Sequence, residues 1–203
     1  MPKPTTIYFS YAWGDQNETG ESREQIINDL YDTLKNRGYD LRRDKMDLGY
    51  KGLISEFMQE IGEGNLVIVA ISDKYLKSPY CMFELYEIYR NSKLDKAEFV
   101  KRIFPIHVES INFNDPLVLD EYLGYWEEKK TAWSNLISKR MDQIGPELFA
   151  EHDKVKQISA KFGDLAAFIK DMNALTPFLL IENDFEKLVI AIETRLVELK
   201  IQI

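Results

Sequence analysis

Two periods of hydrophobic and polar positions alternate along the chain. "TIYFSY" at 6 to 11 is a short β-rich run. Helical spacing follows from Ser22 to Arg37, with Ser22 and Gln25 placed as a capping box and Gly38 at its end. "YDLRRD" at 39 to 44 predicts a second strand, "GLISEFMQEIGEG" a second helix stopped by glycines, and "NLVIVAIS" at 65 to 72 a third strand. That third run is apolar at nearly every position, the pattern of a strand in the middle of a parallel sheet covered by helices on both faces. A further helix, then "RIFPIHV" at 102 to 108 and "TPFLLIE" at 176 to 182, supply the fourth and fifth strands. Asn183 and Glu186 are spaced to cap a closing helix, "DFEKLVIAIETRLVELK". Five βα units predict an α/β fold with a five-stranded, parallel, doubly wound sheet.

One segment departs from this order. Residues 110 to 175 are too long for an ordinary connection, and they carry helical spacing instead of loop composition. Leu136, Ile137, Met141 and Ile144 mark one face, and Leu165, Phe168, Ile169 and Met172 another. They read as a helical insertion between the fourth and fifth strands.

The chemistry concentrates in "SPYCMFELYEI", residues 78 to 88. Laid on a helix, Cys81, Leu85 and Ile88 form one apolar stripe and Met82, Tyr86 and Tyr89 a second, which leaves Tyr80, Glu84 and Glu87 on a third face. An ionised carboxylate fully buried there costs several kcal/mol, so Glu84 must be paired, stand at the edge of a cleft, or serve a ligand. In an open parallel sheet the ligand lies outside the carboxyl ends of the strands, where strand order reverses. The residues leaving those ends are Ser10, Tyr11, Ala12 and Trp13, then Arg43 and Asp44, then Ser72 and Asp73. The Gly-rich dinucleotide fingerprint and the P-loop are both missing, and the end of the first strand lacks the acidic cluster of a phosphorelay receiver.

Composition narrows the field. The 203 residues are 45% apolar, enough for one sizeable domain, and the formal net charge of -8 argues against a general nucleic-acid surface. No apolar run approaches the ~20 residues of a membrane-spanning helix. The start of the chain lacks the order of a secretory signal, and one cysteine makes no internal disulfide, so a cytoplasmic location is expected. His107 and His152 have no ligand partners at motif spacing, and no metal is assigned.

Three stretches together resemble Toll/interleukin-1 receptor (TIR) domains. "IYFSYAWGD" is similar to their first box and "GYDLRRDKMDLGYKG" to their second box and its loop. "LVIVAISDKYLKSPYCMFELYEI" is similar to the third strand and the glutamate-bearing helix of the catalytic members. The resemblance covers about 6 to 108 and, more weakly, 176 to 200. It implies a flavodoxin-like sheet and a single TIR domain over 1–203, with the insertion at about 110–175. It also implies an NAD glycohydrolase of the bacterial type, in which Glu84 is the catalytic carboxylate and NAD the substrate, with no other cofactor. Ser10, Tyr11, Trp13, Arg43, Asp44, Asp47, Tyr80 and Cys81 are the substrate-side candidates. Trp13 and Tyr11 would stack on a base, or pack as ordinary strand-end aromatics. Ser10 would bond a ribose or phosphate oxygen, or cap a turn. Arg43 and Asp44 open the loop, and Asp47 to Lys51 would form its mobile part. Cys81 reads as a buried small hydrophobe. Tyr80 stands where the family commonly has tryptophan. Activation by homotypic TIR–TIR assembly and a role in antiphage defence follow from the same resemblance, as does possible contact of the insertion with a sensor domain or another protomer. The alternative is a noncatalytic scaffold that signals by TIR–TIR contact.

Overall fold

The computed structural model describes residues 5–14, 18–43, 54–172, 174–181 and 184–199. The first three strands and their helices run β1 (Ile7–Tyr11), α1 (Glu18–Asn36), β2 (Leu41–Arg43), α2 (Ile54–Glu63) and β3 (Val67–Ile71). Two helices follow, α3 (Asp73–Lys77) and α4 (Pro79–Asn91), then α5 (Lys96–Arg102) and β4 (Ile103–His107). The insertion is a pair of long helices, α6 (Pro116–Arg140) and α7 (Pro146–Asp171), joined by a 3-10 turn; α8 (Pro177–Ile181) and α9 (Glu186–Glu198) close the chain.

The fold is α/β with a parallel sheet in the order β2-β1-β3-β4. Strand order reverses between β1 and β3, whose register pairs Tyr8 with Val67 and Ser10 with Val69. β3 is buried along its whole length, as its unbroken apolar run predicts. Val67, Val69 and Ile71 face one core with α2, α4 and the insertion. Leu66, Ile68 and Ala70 face the other, with Ile7, Phe9 and Tyr11 of β1 and the inner sides of α1 and α9.

The sheet has four strands, not the five expected. The predicted fifth is reduced to one parallel bridge from Leu175 to Ile106, where the His107 N–H donates to the Leu175 carbonyl at 2.8 Å. The next residues turn into α8. Threonine followed by proline is a helix start: Pro177 opens α8, and the Leu180 N–H donates to the Thr176 carbonyl at 2.9 Å. The apolar Leu179, Leu180 and Ile181 resemble a strand only if that start is overlooked.

Two capping expectations also change. α1 begins at Glu18, so Ser22 lies a turn inside it, and the Gln25 amide reaches forward to Asp29 Oδ1 at 2.6 Å. At the start of α9 the residue before Glu186 is Phe185, in left-handed conformation at φ 63° with no side-chain cap, while Asn183 lies outside the described residues.

Of the two expected stripes the second docks, through Leu165, Phe168, Ile169 and Met172, whereas the first contributes only Ile137 to the buried core. Leu136 and Met141 are exposed, whereas Tyr122 and Trp126 are buried with Ile137. Trp126 Nε1 donates to the Leu76 carbonyl at 3.0 Å and the Tyr125 hydroxyl to the Lys77 carbonyl at 2.8 Å. Both acceptors lie in the last turn of α3, where carbonyls have no partner within the helix. On its other arm α7 buries Val155, Ile158, Phe162, Leu165, Ala166 and Ile169, and it packs against α4. The insertion is therefore part of the same core as β3 and α4.

Opposite the site end of the sheet, buried Arg102 gathers the ends of two helices. It donates to the carbonyls of Gly62 at 2.5 Å and Ile88 at 3.0 Å, to Gly64 from two nitrogens, and to Ser92 Oγ at 3.1 Å. Carbonyls at helix C-termini carry partial negative charge, so they accommodate a cation without a carboxylate.

Candidate functional site

Ser78 decides where the Glu84 helix starts. Its backbone N–H donates to the Tyr75 carbonyl at 3.1 Å, which ends α3, and its Oγ accepts from the Cys81 N–H at 3.3 Å, which begins α4. Pro79 at the first helical position supports the same break. Ser78→Ala is expected to lower unfolding free energy by ~1 kcal/mol, and Ser78→Asp to retain most of it, in urea denaturation.

From that start, α4 packs against β1 and brings Glu84 onto Ser10, beside the point where strand order reverses. Ser10 points up to meet it, because alternation along β1 sends Tyr8, Ser10 and Ala12 toward the α4 side. Ser10 Oγ donates to Glu84 Oε2 at 2.6 Å and lies 2.9 Å from the Tyr75 hydroxyl. All three residues are buried, Glu84 at 4% exposure, so the carboxylate is paired within the fold instead of standing open at a cleft edge. Glu87, on the same helix face, is buried too and pairs with Arg90. The Tyr75 phenol is pushed well above its ordinary value, first by burial and then by the neighbouring Cys81 and Glu84.

The remaining candidates divide by face. Trp13, just beyond β1, and Tyr80, in the first turn of α4, are each 47% exposed. Tyr11 goes the other way: alternation buries its ring in the α1 side of the core, away from Ser10 and Glu84. Arg43 is buried against α1, its Nη1 donating to Asn28 Oδ1 at 2.8 Å and its guanidinium stacked 4.1 Å from the Tyr31 ring. That placement ties β2 to α1. Cys81 is buried in the α4 core. Asp44 and Asp47 lie outside the described residues.

Three features escape a reading of the sequence. Tyr75 is one; its visible sign is the short "SDKYLK" helix between strand and Ser78, which merges with the Glu84 helix unless Ser78-Pro79 is taken as a break. The second is the pairing of Arg23 with Glu109 at 3.1 Å, while the other oxygen of Glu109 accepts from the Asp73 N–H at 2.8 Å. The third is Tyr122, whose hydroxyl donates to Asp73 Oδ1 at 2.9 Å. Together these link α1, β4, α3 and the insertion around the carboxyl ends of the strands. Among the described residues no group of three His, Cys, Asp or Glu side chains is placed to hold a metal ion.

A cavity of about 270 Å³ opens beside this network at the end of β4, lined by His107, Glu109, Asn112, Phe113, Lys170 and Thr176 among others. Burial pushes the His107 imidazole below its ordinary value of 6.5. The folded protein therefore holds His107 neutral while the unfolded chain protonates first, so stability is expected to fall as pH drops below about 6.5. His107→Gln should flatten that part of a Tm–pH profile.

The comparisons agree with this architecture. A model of the TIR domain family matches residues 7–142. Among solved structures, the TIR domains of the activated Roq1 resistosome, which directly recognises the pathogen effector XopQ, superpose with a TM-score of 0.53 at 18% identity. The alignment covers 96% of this chain and 99% of that one, and at such identity it speaks for the fold. No curated protein matches in sequence.

Proposed function

Because the chain belongs to the TIR domain family, we propose that it is an NAD glycohydrolase that breaks the nicotinamide–ribose bond with Glu84 as its carboxylate. Nicotinamide and ADP-ribose, open or cyclised, are the products. The observation that carries this reading is a buried carboxylate over the strand-order reversal, held by a hydroxyl from β1.

One carboxylate is enough for this reaction. Glycosidases need a second carboxyl group to protonate an alkoxide leaving group. Nicotinamide in NAD is a pyridinium and leaves as a neutral base, so no general acid is needed. What remains to be stabilised is positive charge developing on the ribose, which a carboxylate in a water-poor site does well. Burial of Glu84 beside Ser10 and Tyr75 keeps water away, and half-exposed Trp13 and Tyr80 offer faces on which a flat base can stack.

Assembly belongs to the same proposal, since the Roq1 TIR domains belong to an assembled resistosome. A bacterial antiphage role by NAD depletion is the biological setting this chemistry fits. No helix among the described residues is long and apolar enough to cross a membrane. In the competing reading, a scaffold acting by TIR–TIR contact alone, Glu84 serves only to tie α4 to β1 through Ser10.

The test is nicotinamide release from NAD at high protein concentration, with the assembly state measured on the same sample. Release by the native chain that is lost in Glu84→Gln supports the enzyme. Assembled but inactive native protein supports the scaffold.

A further inference from the structure

We propose that Tyr75 is a positioning residue for Glu84 and that it acts through the Ser10 hydroxyl. This rests on the reading of Glu84 as the catalytic carboxylate, and it reassigns Ser10 from the substrate to the carboxylate.

The direction of the hydrogen bonds follows from counting protons. A carboxylate only accepts, so Ser10 spends its single hydrogen on Glu84 Oε2, at 2.6 Å. Ser10 Oγ then has lone pairs and no hydrogen left for Tyr75, 2.9 Å away, so the tyrosine donates to the serine. Tyr75 is fully buried and its phenol stays protonated, which keeps the order fixed as Tyr75 to Ser10 to Glu84. Hydrogen bonds in such a series polarise one another, so the donor at the far end strengthens the bond that orients the carboxylate.

Each member comes from a different element. Ser10 is on β1, Tyr75 on α3 and Glu84 on α4, so the chain of hydroxyls fixes two helices and a strand at the atom where the chemistry is placed. Tyr75 makes its hydrogen bond to Ser10 and none to Glu84. Its removal reaches Glu84 through the serine. The last turn of α3, which carries Tyr75, is in turn held by Tyr125 and Trp126 of the insertion.

The experiment is a double-mutant cycle of Tyr75→Phe and Ser10→Ala, read in two ways on the full chain. The first is the Glu84 side-chain carboxyl carbon resonance, identified by its loss in Glu84→Gln. The second is the kinetics of nicotinamide release. Tyr75→Phe should move the resonance and lower kcat about tenfold with KM nearly unchanged, because no substrate contact is lost. In the Ser10→Ala background the same substitution should change neither, and Ser10→Thr should restore most of the kcat lost in Ser10→Ala. An unmoved resonance in Tyr75→Phe, or effects that simply add in the double variant, would overturn the proposal. The resonance needs no turnover, so an assembled native chain that fails to cleave NAD sinks the enzymatic reading and still leaves the hydroxyl chain tested. Should Ser10→Ala unfold, urea midpoints will show it, and Tyr75→Phe at native stability remains the deciding protein.

Discussion

Glu84→Gln is expected to lower kcat for nicotinamide release by at least about 100-fold while leaving Tm unchanged or slightly raised. The two halves of this prediction have separate causes. Glutamine keeps the size of the side chain and an oxygen that accepts from Ser10, so the hydrogen bond at 2.6 Å has a replacement acceptor. The substitution also exchanges a buried charge for a neutral amide at a position 4% exposed, which lightens the desolvation cost carried by the fold. What is lost is the negative charge that opposes the cation developing on the ribose. Removing one preorganised electrostatic partner from a water-poor site typically costs 10²–10³ in rate. A fall in kcat together with a fall in Tm would instead mark Glu84 as a member of the core, and equal rates in the two proteins would move the chemistry to another residue. Glu84→Ala is the poorer variant, since it opens a hole under α4 and mixes the two effects.

The first four strands of the sheet were legible because they are written in local pattern. The unbroken run at 65 to 72 can only be a strand covered on both faces, and the alternation in β1 sends Ser10 to one side and Tyr11 to the other. Ser10 and Glu84 were both candidates, yet the 2.6 Å bond between them depends on register and helix placement across 74 positions. The errors arise where two local signals compete. Leu179, Leu180 and Ile181 look like strand, but Thr176-Pro177 ahead of them starts a helix. Arg43 has the charge of a phosphate contact, and only the fold reveals that Tyr31 and Asn28 already hold it. In the insertion, aliphatic spacing drew attention to Leu136 and Met141, while the anchors are the aromatics Tyr122 and Trp126, whose polar tips find carbonyl or carboxylate partners.

Trp126→Ala is expected to destabilise the protein by about 3–5 kcal/mol, the range for deleting a large buried aromatic. The indole is fully buried, 5.3 Å from the Tyr125 ring and 6.5 Å from that of Phe162, so its removal leaves a cavity between α6 and α7. It also strips the Leu76 carbonyl of its donor at the end of α3. Trp126→Phe separates these contributions, because it keeps most of the packing and loses the hydrogen bond; a cost of ~1–3 kcal/mol is expected there. Both follow from urea unfolding, read from the shift in midpoint with the slope unchanged. A loss below about 1 kcal/mol for Trp126→Ala would mean that α6 and α7 are an appended unit with little share in the core. The expected loss carries a consequence for the site, since α3 holds Tyr75 as well as Leu76. A protein weakened at Trp126 should lose order at Tyr75 before it unfolds, so the insertion, though remote from Glu84 in sequence, acts on it through five residues of helix.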